Sequence, residues 1–153
     1  MSKLVCSVES WTTAQPDVEK LIAEHWEEIA LHKDRQPLDP NWSTYRTLAD
    51  TGMLVAVTAR DEGLLVGYAL FFVLQHMHYN STVWAMNDVL FLKKSHRKGV
   101  AGFKLIRAAD KAMQERGVSR ITWHVKVHHD FGMLLKRLGY EVEEMVWGKF
   151  VGA

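Results

Sequence analysis

Apolar residues along this chain recur at two spacings, and each change of spacing marks a new element. Residues 4–11, LVCSVESW, place β-branched and apolar side chains ahead of the polar stretch TTAQPD and read as a strand. Pro16, with its fixed φ and missing N–H, suits the first turn of the helix that follows. Val18, Leu21, Ile22, Trp26 and Ile29 then fall at helical spacing, with Glu19, Lys20, Glu24, Glu27 and Glu28 elsewhere on the wheel, which predicts an amphipathic helix. Residues 33–43 hold two prolines among polar groups and read as a loop, and 42–48 as a second short helix ending before Gly52.

The spacing changes again at residue 53. MLVAVTA (53–59) and LLVGYALFFVLQHM (64–77) flank a charged, glycine-containing turn and predict a hairpin, while TVWAMNDVLFL (82–92) adds a third antiparallel strand. Leu105, Ile106, Ala109, Ala112 and Met113 form a helical stripe that stops at Gly117. A strand over 119–127, a short helix carrying Phe131, Leu134, Leu135 and Leu138, and a last strand over 140–151 complete the chain. The order β-α-α-β-β-β-α-β-α-β predicts a mixed α/β fold with helices covering a central sheet.

Composition narrows the function. At 153 residues, 48% of them hydrophobic, the chain suits one domain over 1–153 with a proper core. A net charge of +1 argues against strong unaided binding to duplex nucleic acid. The lone Cys6 excludes an internal disulfide, and the first residues lack the pattern of a secretory signal, so a reducing cytoplasm is expected. The longest apolar run, 64–74, is too short to span a membrane.

Against that near-neutral background, KKSHRKGVAG (93–102) concentrates four cations and a histidine ahead of two glycines, at a strand-to-helix junction. The first N–H groups of a helix lack backbone partners and carry partial positive charge, so an anion is their natural guest. Gly99 admits a close backbone approach, Ala101 and Gly102 keep the first turn thin, and Lys93, Lys94, Arg97 and Lys98 supply charge, an arrangement that favours a phosphate or pyrophosphate. Neither the Gly-Lys-Ser/Thr of the Walker loop nor the G-x-G-x-x-G of dinucleotide folds is present.

HRKGVAG, after VLFL and opening a helix, resembles the acetyl-CoA signature R/Q-x-x-G-x-G/A of the GNAT superfamily of N-acetyltransferases, with His96 in the Arg/Gln position, Gly99 as the first glycine and Ala101 as the second small residue. LLKRLGY (134–140) resembles that family's late Y-x-K-L-G-F segment, and the chain's ending is similar to that of small members from bacteria and their viruses. The resemblance implies a fourth strand splayed from the fifth, with pantetheine bonded to the backbone near Phe91, Leu92 and Lys93. It places the pyrophosphate of acetyl-CoA on the N–H groups from Arg97 through Lys98, Gly99, Val100 and Ala101 to Gly102. The chain departs from the pattern at Leu135, where a tyrosine acid is common, and at His128 and Phe131, which replace a common asparagine and alanine. His128 is counted with the cofactor set, and with Tyr140 it is a substitute acid.

Direct transfer to an amine needs the amine neutral, so a group must take its proton. Asp88 is the only carboxylate of 82–92, Asn87 beside it suits orienting substrate or water, and His124, on the predicted fifth strand, suits proton relay. In the resembled family the first two helices and the hairpin of strands three and four shape the pocket for a small-molecule or protein amine. Here that region includes Trp26, Asp39, Trp42, Tyr45, His76 and Tyr79. His76, His78, His128 and His129 do not have the spacing of a metal site. Two rivals to catalysis stand: a silent CoA-binding sensor or partner-binding module, suggested by Leu135, and a nucleic-acid phosphate binder using Lys93 to Lys98. Met145, Val146, Trp147 and Phe150 make the last strand unusually aromatic for a terminal one and would suit a homodimer contact.

Overall fold

The computed structural model describes residues 3–152. Five strands, β1 (Leu4–Glu9), β2 (Leu54–Asp61), β3 (Leu64–Gln75), β4 (Val83–Leu92) and β5 (Arg120–Thr122), form one sheet in sequence order. The first four are antiparallel, as the alternating turns predict, and β5 joins β4 in parallel. Helices α1 (Trp11–Ile29) and α2 (Trp42–Asp50) lie on one face, and α3 (Ala101–Glu115) on the other, with the short α4 (Gly132–Arg137) beyond β5.

The two faces explain why β2 and β3 read as near-continuous apolar runs. Leu54 and Ala56 point into a core with α1 and α2, around Val18, Tyr68 and Phe91. Val55, Val57 and Ala59 alternate to the opposite face and meet Phe71, Leu105, Ala109 and Met113. A strand covered on both faces has no solvent side to keep polar. Each of these large side chains, fully removed from water, contributes roughly 1.5–3 kcal/mol.

Three elements differ from the sequence expectation. Helix α1 starts at Trp11, before Pro16, because Ser10 caps it by accepting from the Thr13 N–H and Trp11 is drawn into the core. The fifth strand covers three residues in place of 119–127, since its ladder to β4 stops at Thr122. The last strand is absent: 140–151 has no regular structure, and Val142, Trp147 and Val151 stand about nine-tenths exposed. So short an edge gives a following strand little backbone to pair with.

His25 is the exception in the α1 core, 8% exposed, stacked on Phe91 with ring centroids 5.0 Å apart and with Nδ1 2.7 Å from the Tyr68 hydroxyl. Burial, reinforced by the Lys126 charge, lowers its pKa from 6.5 to about 4, so it stays neutral in the fold. Unfolded, it binds a proton below pH 6.5; its contribution is therefore complete above that pH and is lost as the pH falls towards 4, by on the order of 3 kcal/mol. Chemical denaturation between pH 8 and 4 should accordingly show stability falling below pH 6.5 in the native protein. His25→Gln should be less stable at pH 8 yet flatter across that window, and an unchanged slope would assign the acid sensitivity elsewhere.

Candidate active site

The central geometric feature is the parting of β4 from β5. They pair at Trp84 with Arg120, Ala85 with Ile121 and Met86 with Thr122, after which β4 runs on alone to Leu92. Trp123, the first residue past β5, sets its indole edge-on against Phe71 at 4.9 Å and Phe131 at 6.3 Å, and the chain does not return to the ladder. On its other edge β4 stays paired with β3, with an irregularity where Leu70 faces Val89 and Phe71 faces Asn87. Asp88 is the extra residue of this bulge, and a bulge re-aims the side chain it carries.

The two neighbours at the bulge diverge. Asn87 is buried and its Nδ2 donates to the Val89 carbonyl at 2.9 Å, so it braces the irregular backbone. Asp88 turns towards α2, where the Tyr45 hydroxyl donates to its Oδ2 at 2.5 Å. Burial first, and the Asp88 bond second, push the Tyr45 phenol well above its ordinary pKa.

Beyond β4, Lys93 donates to the Val66 carbonyl at 2.8 Å, a 3-10 turn covers Lys94–His96, and the chain enters α3. Gly99 has φ +91°, in the left-handed region, with nothing within 4 Å of an added Cβ; backbone conformation rather than space selects glycine there. At Gly102 the reason is packing, since a Cβ would lie 3.2 Å from Leu134 on α4. The helix ladder begins with Lys104 donating to Val100, and among the described residues no side chain caps the helix start and no acid lies in its first turn. The N–H groups of Ala101, Gly102 and Phe103 are thus free for an anion.

The cations of this loop divide into two sets. Arg97 donates its Nε to the Leu92 carbonyl at 2.7 Å and grips Glu28 of α1 with both terminal nitrogens, one at 2.7 Å. That bond holds the Glu28 carboxyl below its usual pKa. His96 places Nε2 3.0 Å from Asp61 at the end of β2, and Lys93 lies 3.5 Å from Glu24. These three fix the loop against the body of the fold, while Lys94 and Lys98 stay exposed. Sequence periodicity put Glu28 off the apolar stripe of α1; its tie to Arg97, 69 positions away, carries no local signal.

On the α1–α2 side lies a cavity of about 660 Å³ walled by Trp26, Leu38, Tyr45 and Phe72, with Asp39 on the loop and Lys126 beyond β5 at its edges. Tyr45 is its link to Asp88. The remaining expected residues sit elsewhere. His124 is exposed, two positions past the end of β5. His128 has Nε2 3.0 Å from the Ile29 carbonyl, tying the segment after β5 to the end of α1. His76 packs between Trp84 and Tyr79, at 4.0 and 4.8 Å, and among the described residues no cluster of three or more His, Cys, Asp or Glu side chains could hold a metal ion. Leu135 is buried, and the Tyr140 hydroxyl donates to Asp110 at 2.5 Å.

A splayed parallel pair leading into an uncapped helix defines a class, and comparison with known proteins gives the family. Residues 15–140 match the model of the Acetyltransferase (GNAT) family, and the chain belongs to that family. No curated protein matches it in sequence. The fold is that of an aminoglycoside acetyltransferase from an uncultured soil metagenomic sample, with a TM-score of 0.77 at 19% identity over 98% of this chain and 99% of that one. It is also that of a ribosomal-protein-alanine N-acetyltransferase from Brucella melitensis biovar Abortus, with a TM-score of 0.72 at 18% identity over 98% and 100% of the two chains. A predicted acetyltransferase from Clostridium acetobutylicum, solved with acetyl-CoA, gives 0.71 at 9% identity over 97% of each chain. The protein is thus an acetyl-CoA-dependent N-acetyltransferase by family.

If the loop carries the diphosphate, Gly99→Glu places a strained backbone and a negative charge at the anion position. Calorimetric titration should then lose acetyl-CoA binding while circular dichroism and the melting cooperativity stay native. Retained binding would move the diphosphate to another part of the molecule.

Proposed function

We propose that this protein transfers the acetyl group of acetyl-CoA directly to the primary amine of a bound acceptor, a small molecule or a protein terminus, in a ternary complex. The observation that carries this reading is the continuity of three features: the unpaired edge of β4 over Asn87–Leu92, the uncapped start of α3 that follows it, and the acceptor-sized cavity beside the bulge. Acetyl-CoA supplies an activated acyl carbon whose leaving group is a thiolate. The edge of β4 that β5 leaves open, at Leu90 and Leu92, holds its pantetheine arm, and the helix start holds its diphosphate.

Asp88 takes the proton that the acceptor ammonium must lose, through the Tyr45 hydroxyl that separates its carboxylate from the cavity: the ammonium proton passes to the Tyr45 oxygen as the phenol proton passes to Asp88 Oδ2. The neutral amine then attacks the acyl carbon, the C–S bond breaks, and the nitrogen sheds its second proton through water to the departing thiolate, which needs no dedicated acid because its thiol is far more acidic than an alcohol. With Leu135 buried and the Tyr140 hydroxyl engaged by Asp110, neither position offers that acid. The same two facts favour a second reading, a CoA-binding sensor without turnover. A cytoplasmic setting suits either reading, with the lone Cys6 a free thiol there.

Thiol release from acetyl-CoA over an amine panel separates the two readings, because a sensor binds the thioester and releases no thiol. In the enzyme, Asp88→Asn should lower kcat by about a hundredfold or more, the usual range for a lost proton acceptor, while the acetyl-CoA dissociation constant stays within about twofold. Tyr45→Phe should also lower kcat and change the pH dependence of kcat/KM. Full turnover in Asp88→Asn would remove it as the proton acceptor.

A further inference from the structure

The cavity beside Tyr45 says more about its guest than that it carries an amine. Its apolar walls are Trp26 from α1, Leu38 from the loop, Tyr45 from α2 and Phe72 from β3, with the polar side chains of His32, Gln36, Asn41 and Thr44 set among them, so a guest seated there meets aromatic and aliphatic surface on several sides. Among the described residues Asp39 is the only carboxylate lining it, and the Lys126 ammonium lies on the same lining, so the fixed charges of the wall cancel. The Lys126 Nζ lies 3.4 Å from the Ile29 carbonyl at the end of α1. The walls are also stiff: Tyr45 stacks on Trp11 at 5.4 Å and lies 6.4 Å from Phe72, and its hydroxyl is held by Asp88.

A polycation entering this space would leave water with several charges and find one carboxylate and one opposing ammonium, so most of its charge would be desolvated without a partner. A molecule with one amine on a flat apolar body meets neither penalty. Its body is held by burial and ring contact, and its single nitrogen can face Tyr45. Resting on the amine-acetylation reading above, we infer that the acceptor is a monoamine carried on an aromatic or similarly flat apolar body, and that polyamines and aminoglycosides are not its substrates. This separates the chain from the structurally similar aminoglycoside acetyltransferases, with which it shares a fold.

The test is thiol release from acetyl-CoA with four probes, phenethylamine, tryptamine, spermidine and kanamycin, alongside a thermal shift with acetyl-CoA alone. The expected result is a kcat/KM for the two arylalkylamines at least about tenfold above either polycation, the scale on which apolar pockets discriminate. Leu38→Glu, an exposed loop change that adds a carboxylate to the lining, should raise the relative use of spermidine severalfold. Equal or better use of spermidine or kanamycin by the native protein overturns the inference alone, whereas turnover of none of the four in a protein that acetyl-CoA stabilises overturns it together with the acetyl-transfer reading, in favour of the sensor. Absence of any stabilisation by acetyl-CoA would instead strike the acetyl-transfer reading, and this inference with it.

Discussion

The backbone of β4 loses its partner at Met86, and most of what this molecule can do follows from that loss. In a closed sheet the amides of this stretch that face away from β3, such as those of Leu90 and Leu92, would bond β5 and be unavailable to anything else. Here the ladder ends at Thr122, the bulge at Asp88 twists the strand, and Trp123 leaves the sheet to pack with Phe71 and Phe131. An extended substrate arm can then complete the hydrogen bonding that the protein leaves open, which is strand addition at an internal edge.

That opening would be of little use if the loop at its end could drift. Glu28 and Arg97 prevent this, joining α1 on one face of the sheet to the turn ahead of α3 on the other, while Arg97 also fixes the Leu92 carbonyl. His96 with Asp61 and Lys93 with Glu24 add lateral ties. The charges of the basic run are therefore divided: Lys93, His96 and Arg97 hold the turn against the fold, and Lys94 and Lys98 stay exposed. Local sequence shows the concentration of charge and not the division of labour.

The fold was legible where periodicity and turn chemistry agreed. The hairpin of β2 and β3, the antiparallel run through β4, the stripe of α3 and the place of Gly99 between β4 and α3 all stand where the pattern predicts. Legibility failed where a partner far along the chain decides the outcome. Residues 119–127 and 140–151 have strand-like composition, but a strand exists only against a neighbour, and the departure of Trp123 removes that neighbour from both. The site shows the same division. Asp88 stood out as the only carboxylate in its strand, whereas its bond to Tyr45, 43 positions earlier, appears only once α2 is laid on the sheet.

The account as a whole is tested most directly by amide hydrogen exchange with and without saturating acetyl-CoA. It predicts slowed exchange in two separate stretches, the amides of β4 that face the opening at Leu90 and Leu92 and the start of α3 from Gly99 to Phe103, with β1 and β2 unchanged. Binding that protects neither stretch, or protects only the cavity between α1 and α2, would contradict it.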